Sequence, residues 1–218
     1  DKIRSTPAGK AELMDEMCKG PIAINTGDAN QQHYEVPTGF FQLMLGSRMK
    51  YSCAFFEDES DPLDKAEDTM LALCCSRAEL NDGQNILELG CGWGSLSLYL
   101  AEHYPSSQIT AVSNSATQRT YIETQAVSRN LHNLSVITAD MNDFSTAEQF
   151  DRVMSIEMFE HMRNHQMLFH RISGWLKQDG KLFFHIFCHR DMPYFFETDS
   201  EDDWMAKHFF TGGMMPSF

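Results

Sequence analysis

The sequence predicts an α/β protein built on a doubly wound parallel sheet, on two observations. Strand-like and helix-like stretches alternate from residue 85 to residue 187, and strands joined by helical crossovers pair in parallel with right-handed connections. The first strand also runs straight into glycines, as Ile86-Leu-Glu-Leu-Gly-Cys-Gly-Trp-Gly94. Apolar residues at 86, 87 and 89 make a buried strand, and Gly90 and Gly92 let the backbone come close to a ligand. Ser95-Leu-Ser-Leu-Tyr-Leu-Ala101 then has helical spacing. A strand, a glycine turn and the unpaired N–H groups of a helix start form a nucleotide-binding corner. Its Glu-x-Gly-x-Gly-x-Gly spacing is not the dinucleotide fingerprint Gly-x-Gly-x-x-Gly.

The elements follow in order. Residues 1–28 hold one amphipathic stretch, Ala11–Lys19, and a connector containing Pro and Gly, which reads as a helical, peripheral arm. Residues 29–56 are aromatic-rich, with a helix expected over Thr38–Leu45 and stopped by Gly46. Residues 62–80 read as an amphipathic helix leading to the turn Asn81-Asp-Gly-Gln84. Strand 85–89 leads to a helix over 94–103, strand Gln108–Ser113 to a helix over Ala116–Arg129, and strand Leu134–Thr138 to Ala139-Asp140. Strand Phe150–Glu157 precedes a helix over 163–176, and Gln178-Asp-Gly180 is a stop before strand Lys181–Phe187. The acidic cluster Glu197–Asp203 reads as a solvated loop. Two parts result: a helical cap over 1–80 and a core over 81–218.

Composition narrows the function. A chain of 218 residues suits one domain with a full core. A net charge of −14 argues against nucleic acid and anionic membrane surfaces, both of which need a basic face, and suits a small cationic partner such as an amine. No apolar run approaches the roughly 18 residues of a membrane span, and no signal-peptide pattern is seen. Six cysteines without a C-x-x-C pair indicate neither a zinc site nor a disulfide framework, so a reducing, cytoplasmic setting is expected. The chain starts without Met and stops at Thr-Gly-Gly-Met-Met-Pro-Ser-Phe, which reads as a fragment.

With Glu88 before them, the glycines are similar to motif I of the S-adenosylmethionine (SAM) dependent methyltransferases. The second strand ends in Val112-Ser-Asn-Ser-Ala-Thr-Gln118, without the acidic residue that many of those enzymes use to hold ribose hydroxyls. That departure resembles the cyclopropane-fatty-acid synthase superfamily. Three further regions carry the resemblance: Gln31-Gln-His-Tyr34 with Phe41–Gly46 and Met49-Lys-Tyr-Ser-Cys53; Phe150-Asp-Arg-Val-Met-Ser-Ile-Glu-Met-Phe-Glu-His161; and Leu182-Phe-Phe-His-Ile-Phe-Cys-His189. Glu157–Arg163, His185–His189 and Asp203-Trp-Met-Ala with Phe209-Phe-Thr-Gly-Gly213 are most similar to plant-type coclaurine N-methyltransferases, which methylate benzylisoquinoline amines. The resemblance covers roughly residues 30–218. It implies a Rossmann-like methyltransferase core with strand order 3-2-1-4-5, an N-terminal helical cap, and the last sheet strands missing from this stretch.

It also implies sites. SAM is the expected cofactor, with Gly90, Gly92 and Gly94 followed by Ser113, Asn114 and Gln118 as the methionine and ribose platform. Tyr51 and Ser52 would reach over the cofactor carboxylate, although Tyr51 could simply pack in the core. Asp140 and Met141, just past the third strand, would grip adenine with a carboxylate and a thioether, the plain alternative for Asp140 being a cap. Glu157 at the end of the fourth strand and Glu160 and His161 on the turn beyond it are the catalytic candidates, and all three can face one pocket. A protonated amine has no lone pair, so transfer needs a group to hold the cation and one to accept its proton. The plain alternative makes Glu160 a helix cap and His161 a structural histidine. His185 and His189 are supporting candidates, and Cys53 and His185 match positions that bind bicarbonate in lipid-cyclopropanating relatives. Trp204, Phe209 and Phe210 would wall a lid. The expected activity is SAM-dependent N-methylation of a small heterocyclic or aromatic amine, with no metal requirement. The alternatives are cyclopropanation or C-methylation of unsaturated acyl lipids, and a non-catalytic SAM-binding module.

Overall fold

The computed structural model describes residues 6–27, 37–198 and 203–218. Gln31–Tyr34 and most of the acidic cluster, residues 199–202, lie outside them. Helix α1 (Pro7–Met17) starts at Thr6, whose side chain accepts from the Gly9 N–H, and buries Leu13 against Phe195 and Met214. Helix α2 (Thr38–Met44) buries only Phe41, and α3 (Leu63–Arg77) buries Ala66, Met70, Leu71, Cys74 and Cys75 on one face. Phe41 packs on Met49 and Trp93, whereas Leu71 and Cys75 of α3 join Ile86 and Leu100 in the core against the sheet.

Five strands make one parallel sheet: β1 (Asn85–Leu89), β2 (Gln108–Ser113), β3 (Leu134–Thr138), β4 (Phe150–Ile156) and β5 (Leu176–His185). Their order is β3-β2-β1-β4-β5, as the resemblance implied. Helices α4 (Ser95–His103), α5 (Ala116–Ser128) and α6 (His165–Trp175) supply three of the four crossovers, the connection from β3 to β4 having no helix. Ile86, Leu87 and Leu89 have no exposed surface, as expected of a central strand covered on both faces. The chain runs outward from β1 through β2 and β3, then returns to place β4 on the other side of β1. Strand order therefore reverses between β1 and β4, and ligands of open α/β sheets bind at the carboxyl ends beside such a reversal.

Two sequence expectations change. The stop at Gln178–Gly180 is an irregularity inside β5, where the partner of Phe150 is Leu176 but that of Arg152 is Lys181. The arm is also not wholly peripheral. Ile22 and Ala23 are buried in the main core, the Ala23 N–H and C=O both pair with the Asn142 side chain, and the Ile22 carbonyl accepts from the Arg163 and Asn164 N–H groups. Period-based reading assigns no core role to a short irregular segment, because its burial comes from long-range backbone pairing. The chain closes with a small antiparallel pair, β6 (Tyr194–Phe195) and β7 (Met214–Met215), on either side of α7 (Trp204–His208). No described helix is long and apolar enough to cross a membrane.

Candidate active site

Two adjoining cavities open at the carboxyl ends of β1 and β4. The larger, about 550 Å³, takes Lys50, Tyr51, Ser52 and Cys53 from the segment after α2, and Glu88, Trp93 and Ser95 from the glycine corner. Phe187, Phe209 and Phe210 form its aromatic side. The smaller, about 100 Å³, is walled by Ser113, Asn114 and Gln118 with Ile24, Thr26, Met162 and Thr211. Gly90, Gly92, Glu157 and His161 line both and form the junction.

The glycines shape that junction. Gly90 has φ +78°, and a Cβ there would lie 2.5 Å from the Met158 Cγ. Gly92 has φ +52° with nothing within 4 Å of an added Cβ, so its missing side chain leaves open cavity space. Beyond β2, the Ser113 hydroxyl donates to Gln118 Oε1 at 2.7 Å and accepts from the Ser115 N–H at 3.0 Å. This fixes the Gln118 amide and leaves its buried Nε2 without a partner. Trp93 Nε1 and Ser95 Oγ are likewise buried and unpartnered among the described residues. Buried polar atoms are almost always paired in native proteins, so orphans on both adjoining cavities, Trp93 and Ser95 on the larger and Gln118 on the smaller, fit a polar ligand.

Glu157, just past β4, has φ +51°, a left-handed backbone that is strained by about 1–2 kcal/mol for a residue with a Cβ. Its N–H donates to the His185 carbonyl at 2.7 Å, which anchors the turn while its carboxylate lines both cavities. His161, on the short 3₁₀ turn Phe159–His161, stands against Phe210 with ring centres 5.1 Å apart. Lys50 is nearly buried and its ammonium donates to the Ser52 hydroxyl; burial pulls its pKa below the ordinary lysine value. Glu88 is buried, and its pKa is pushed up to about 7 by burial although the Ser97 hydroxyl donates to it.

Glu160 corrects the expectation that all three catalytic candidates face one pocket. It lines neither cavity and has no exposed surface; Oε1 accepts from the Phe187 N–H at 3.0 Å while Oε2 has no partner among the described residues. Burial, with a smaller contribution from Glu157, pushes its pKa up to about 7. It holds the chain end of β5 against the His161 turn rather than meeting a ligand. A raised carboxyl pKa means the folded state keeps a proton that the unfolded state loses. Stability from this group therefore falls as pH rises from about 4.5 to about 7, then levels off. Glu160→Gln is expected to be more stable than the parent at pH 8, by up to about 3 kcal/mol, with the difference vanishing near pH 4. Thermal melts at the two pH values check this, and an equal offset at both would contradict it.

Asp140 and Met141 also line neither cavity. Asp140 Oδ1 accepts from the Asn142 N–H at 2.8 Å, capping its own turn, and Met141 is buried in the main core with Phe144 and Val112. His189 lies in an exposed loop, where Nδ1 accepts from the Asp191 and Met192 N–H groups. Trp204 is exposed and touches Phe209 instead of walling the cavity. Sequence reasoning missed Lys50, Trp93 and the Ile24–Thr26 wall. The orphaned polar atoms could not be foreseen, although Lys50 stands one residue before the predicted Tyr51-Ser52 pair. The fold also brings Cys53, Glu157 and His185 together, of which the resemblance had paired only Cys53 and His185.

The family model for mycolic acid cyclopropane synthetase matches residues 23–218. An (S)-coclaurine N-methyltransferase of Thalictrum flavum subsp. glaucum is 42% identical over 194 residues, covering 89% of this chain and 54% of the relative. The cyclopropane-fatty-acyl-phospholipid synthase of Escherichia coli K12 is 32% identical over 190 residues, covering 86% of this chain and 46% of that one. A crystal structure of coclaurine N-methyltransferase bound to N-methylheliamine and SAH superimposes with a TM-score of 0.91 at 40% identity, covering 96% of this chain and 61% of that one. The chain thus spans about half the length of the curated relatives it matches.

Proposed function

The chain belongs to the mycolic acid cyclopropane synthetase family, and from that premise we propose that the whole protein is a SAM-dependent N-methyltransferase acting on a small cyclic or aromatic amine. One observation carries the reading: Glu157 and His161 line the junction of two cavities, the smaller holding the orphaned Gln118 amide and the larger holding the orphaned Trp93 and Ser95 groups together with an aromatic side. The orphaned Gln118, Trp93 and Ser95 groups and the open space at Gly92 fit a SAM-sized polar ligand. When bound, SAM supplies an activated sulfonium methyl. Gly90, Gly92, Ser113, Asn114 and Gln118 hold it, with Tyr51 and Ser52 closing from the cap. Glu157 holds the cationic amine by charge, and His161 accepts the proton that frees the nitrogen lone pair. Phe187, Phe209 and Phe210 give the amine an apolar bed and keep water from it.

A second reading, methylene or methyl transfer to an unsaturated acyl chain, draws on the 3.9 Å approach of Cys53 Sγ to His185 Nε2. The acidic charge and the carboxylate at Glu157 favour the amine. A methyl-transfer screen of the full-length protein against cyclic secondary amines, aliphatic amines and unsaturated phospholipids separates them. Turnover of cyclic amines is expected. Bicarbonate-dependent turnover of phospholipid alone would sink the amine reading, and cofactor binding without turnover on the panel would make the protein a SAM-binding module.

A further inference from the structure

We propose that Glu67 is a positioning residue: from α3 its buried carboxylate holds the turn at residues 46–48, and so sets the strap of residues 49–54 that closes over the cofactor. The inference rests on the reading above, in which Tyr51 and Ser52 close on SAM. The strap is tied to one helix at both ends. After α2, three successive N–H groups converge on two α3 carboxylates. Gly46 donates to Glu67 Oε1 at 3.1 Å, Ser47 to Asp64 Oδ1 at 2.7 Å, and Arg48 to Glu67 Oε2 at 3.1 Å. Such a run of N–H groups is an anion-binding nest, and here the chain supplies the anion itself. At the far end the Phe55 N–H donates to the carbonyl of Ala66, the neighbour of Glu67, at 3.1 Å. The span between carries Lys50, Tyr51, Ser52 and Cys53, all of which line the larger cavity.

Glu67 is the member of this clamp that matters most. It is 1% exposed, whereas Asp64 stands in solvent, and a buried charge loses far more than an exposed one when a hydrogen-bond partner leaves it. Burial raises the Glu67 pKa, and the Arg48 and Gly46 N–H groups oppose that shift by favouring the ionised form. The approach needs a glycine: a Cβ at residue 46 would lie 2.7 Å from Glu67 Oε2 and 2.8 Å from Asp64 Oδ1. Met49 closes the turn, its N–H donating to the Gly46 carbonyl at 2.9 Å. Its φ of +55° is a left-handed conformation that persists in a residue with a side chain only where the surroundings hold it. Those surroundings are the carboxylates on one side and, on the other, Phe41 and Trp93, against which Met49 is buried. The Arg48 guanidinium adds ion pairs to Asp68 of α3 and Glu102 of α4, both at 2.6 Å. The direction in which the chain leaves Met49 for the cavity is therefore set from α3.

The test sets Glu67→Gln against the parent in the full-length protein. The amide keeps the volume but turns one acceptor oxygen into a donor facing an N–H group. Without ligand, hydrogen exchange at residues 46–55 should quicken while the sheet strands stay protected. By calorimetry, affinity for S-adenosylhomocysteine should fall about tenfold, the equivalent of one hydrogen bond to a charged group. Affinity for 5′-methylthioadenosine, which lacks the amino-acid part of the cofactor, should hardly change. In a Tyr51→Phe/Ser52→Ala background the Glu67→Gln loss should shrink to within about twofold, because its effect runs through those side chains. Where Glu67→Gln fails to fold, Gly46→Ala, whose Cβ pushes on the same carboxylates, should give the same pattern. Unchanged affinity for S-adenosylhomocysteine, equal losses for both nucleosides, or a full loss in the Tyr51/Ser52 background would overturn the positioning role. A parent that binds neither nucleoside fails the SAM reading instead, and the exchange measurement still decides whether Glu67 holds the strap.

Discussion

His161→Ala is expected to lower kcat by about 10²–10⁴-fold, the usual contribution of a positioned general base, while affinity for S-adenosylhomocysteine stays unchanged. The forecast follows from position and the proposed role: the imidazole lines both cavities beside Phe210, at the junction between them. Glu157→Ala is expected to act differently, raising the KM for amine more than it lowers kcat, because its proposed role is to hold a cation. The parent rate should rise with pH as the amine or its base loses a proton. Glu160 meets no cavity, so Glu160→Ala should affect turnover only by loosening the turn that carries His161. A merely structural His161 forecasts a lower melting temperature with full activity in the folded fraction. Normal kcat in a well-folded Glu160/His161 double variant would falsify the catalytic role.

Gly92→Val should weaken S-adenosylhomocysteine binding by about 5–150-fold, the equivalent of roughly 1–3 kcal/mol of overpacking. Beyond its chain neighbours, no described atom lies within 4 Å of an added Cβ at Gly92, which lines both cavities, so on the proposed reading the new side chain takes up cofactor space. The φ of +52° adds backbone strain, worst for a β-branched residue. A control separates the two effects. Gly83 also has positive φ and open space, but it lies in the exposed turn before β1, away from both cavities. Gly83→Ala should therefore lower the melting temperature without changing affinity. Calorimetry on both variants decides: equal affinities in Gly92→Val and the parent would remove Gly92 from the cofactor site.

How far the chain could be read follows from the range of its signals. The strand bounds at 85–89, 108–113 and 134–138 match the sequence expectation residue for residue, because alternation between apolar runs, turn residues and helical spacing is encoded locally. The glycine corner was legible for the same reason: a positive φ leaves its mark on the residue that adopts it. Helix ends were less so, since α6 spans 165–175 rather than 163–176 and side-chain caps such as Asn164 decide the start.

The candidate site was legible only in part. Ser113 ends β2, Gly90, Gly92, Asn114 and Glu157 come just after a strand, and Gln118 lies in the first turn of the helix after β2; such positions fall at the carboxyl edge of any parallel sheet. Glu160 sits in the same short run, yet its carboxylate points away from the cavities, because a single 3₁₀ turn sends neighbouring side chains to opposite sides. Nothing local marks that difference. The sequence by itself determined the order of elements, the glycine corner and the residue types available at the strand ends. The tertiary structure alone decided that Ile22 and Ala23 belong to the core and that Lys50 is buried beside Ser52. It alone also brought Cys53 together with Glu157 and His185, across separations of 104 and 132 residues. Those contacts arise from cooperative closure of loops over the sheet edge, and their energy depends on where the rest of the chain lies.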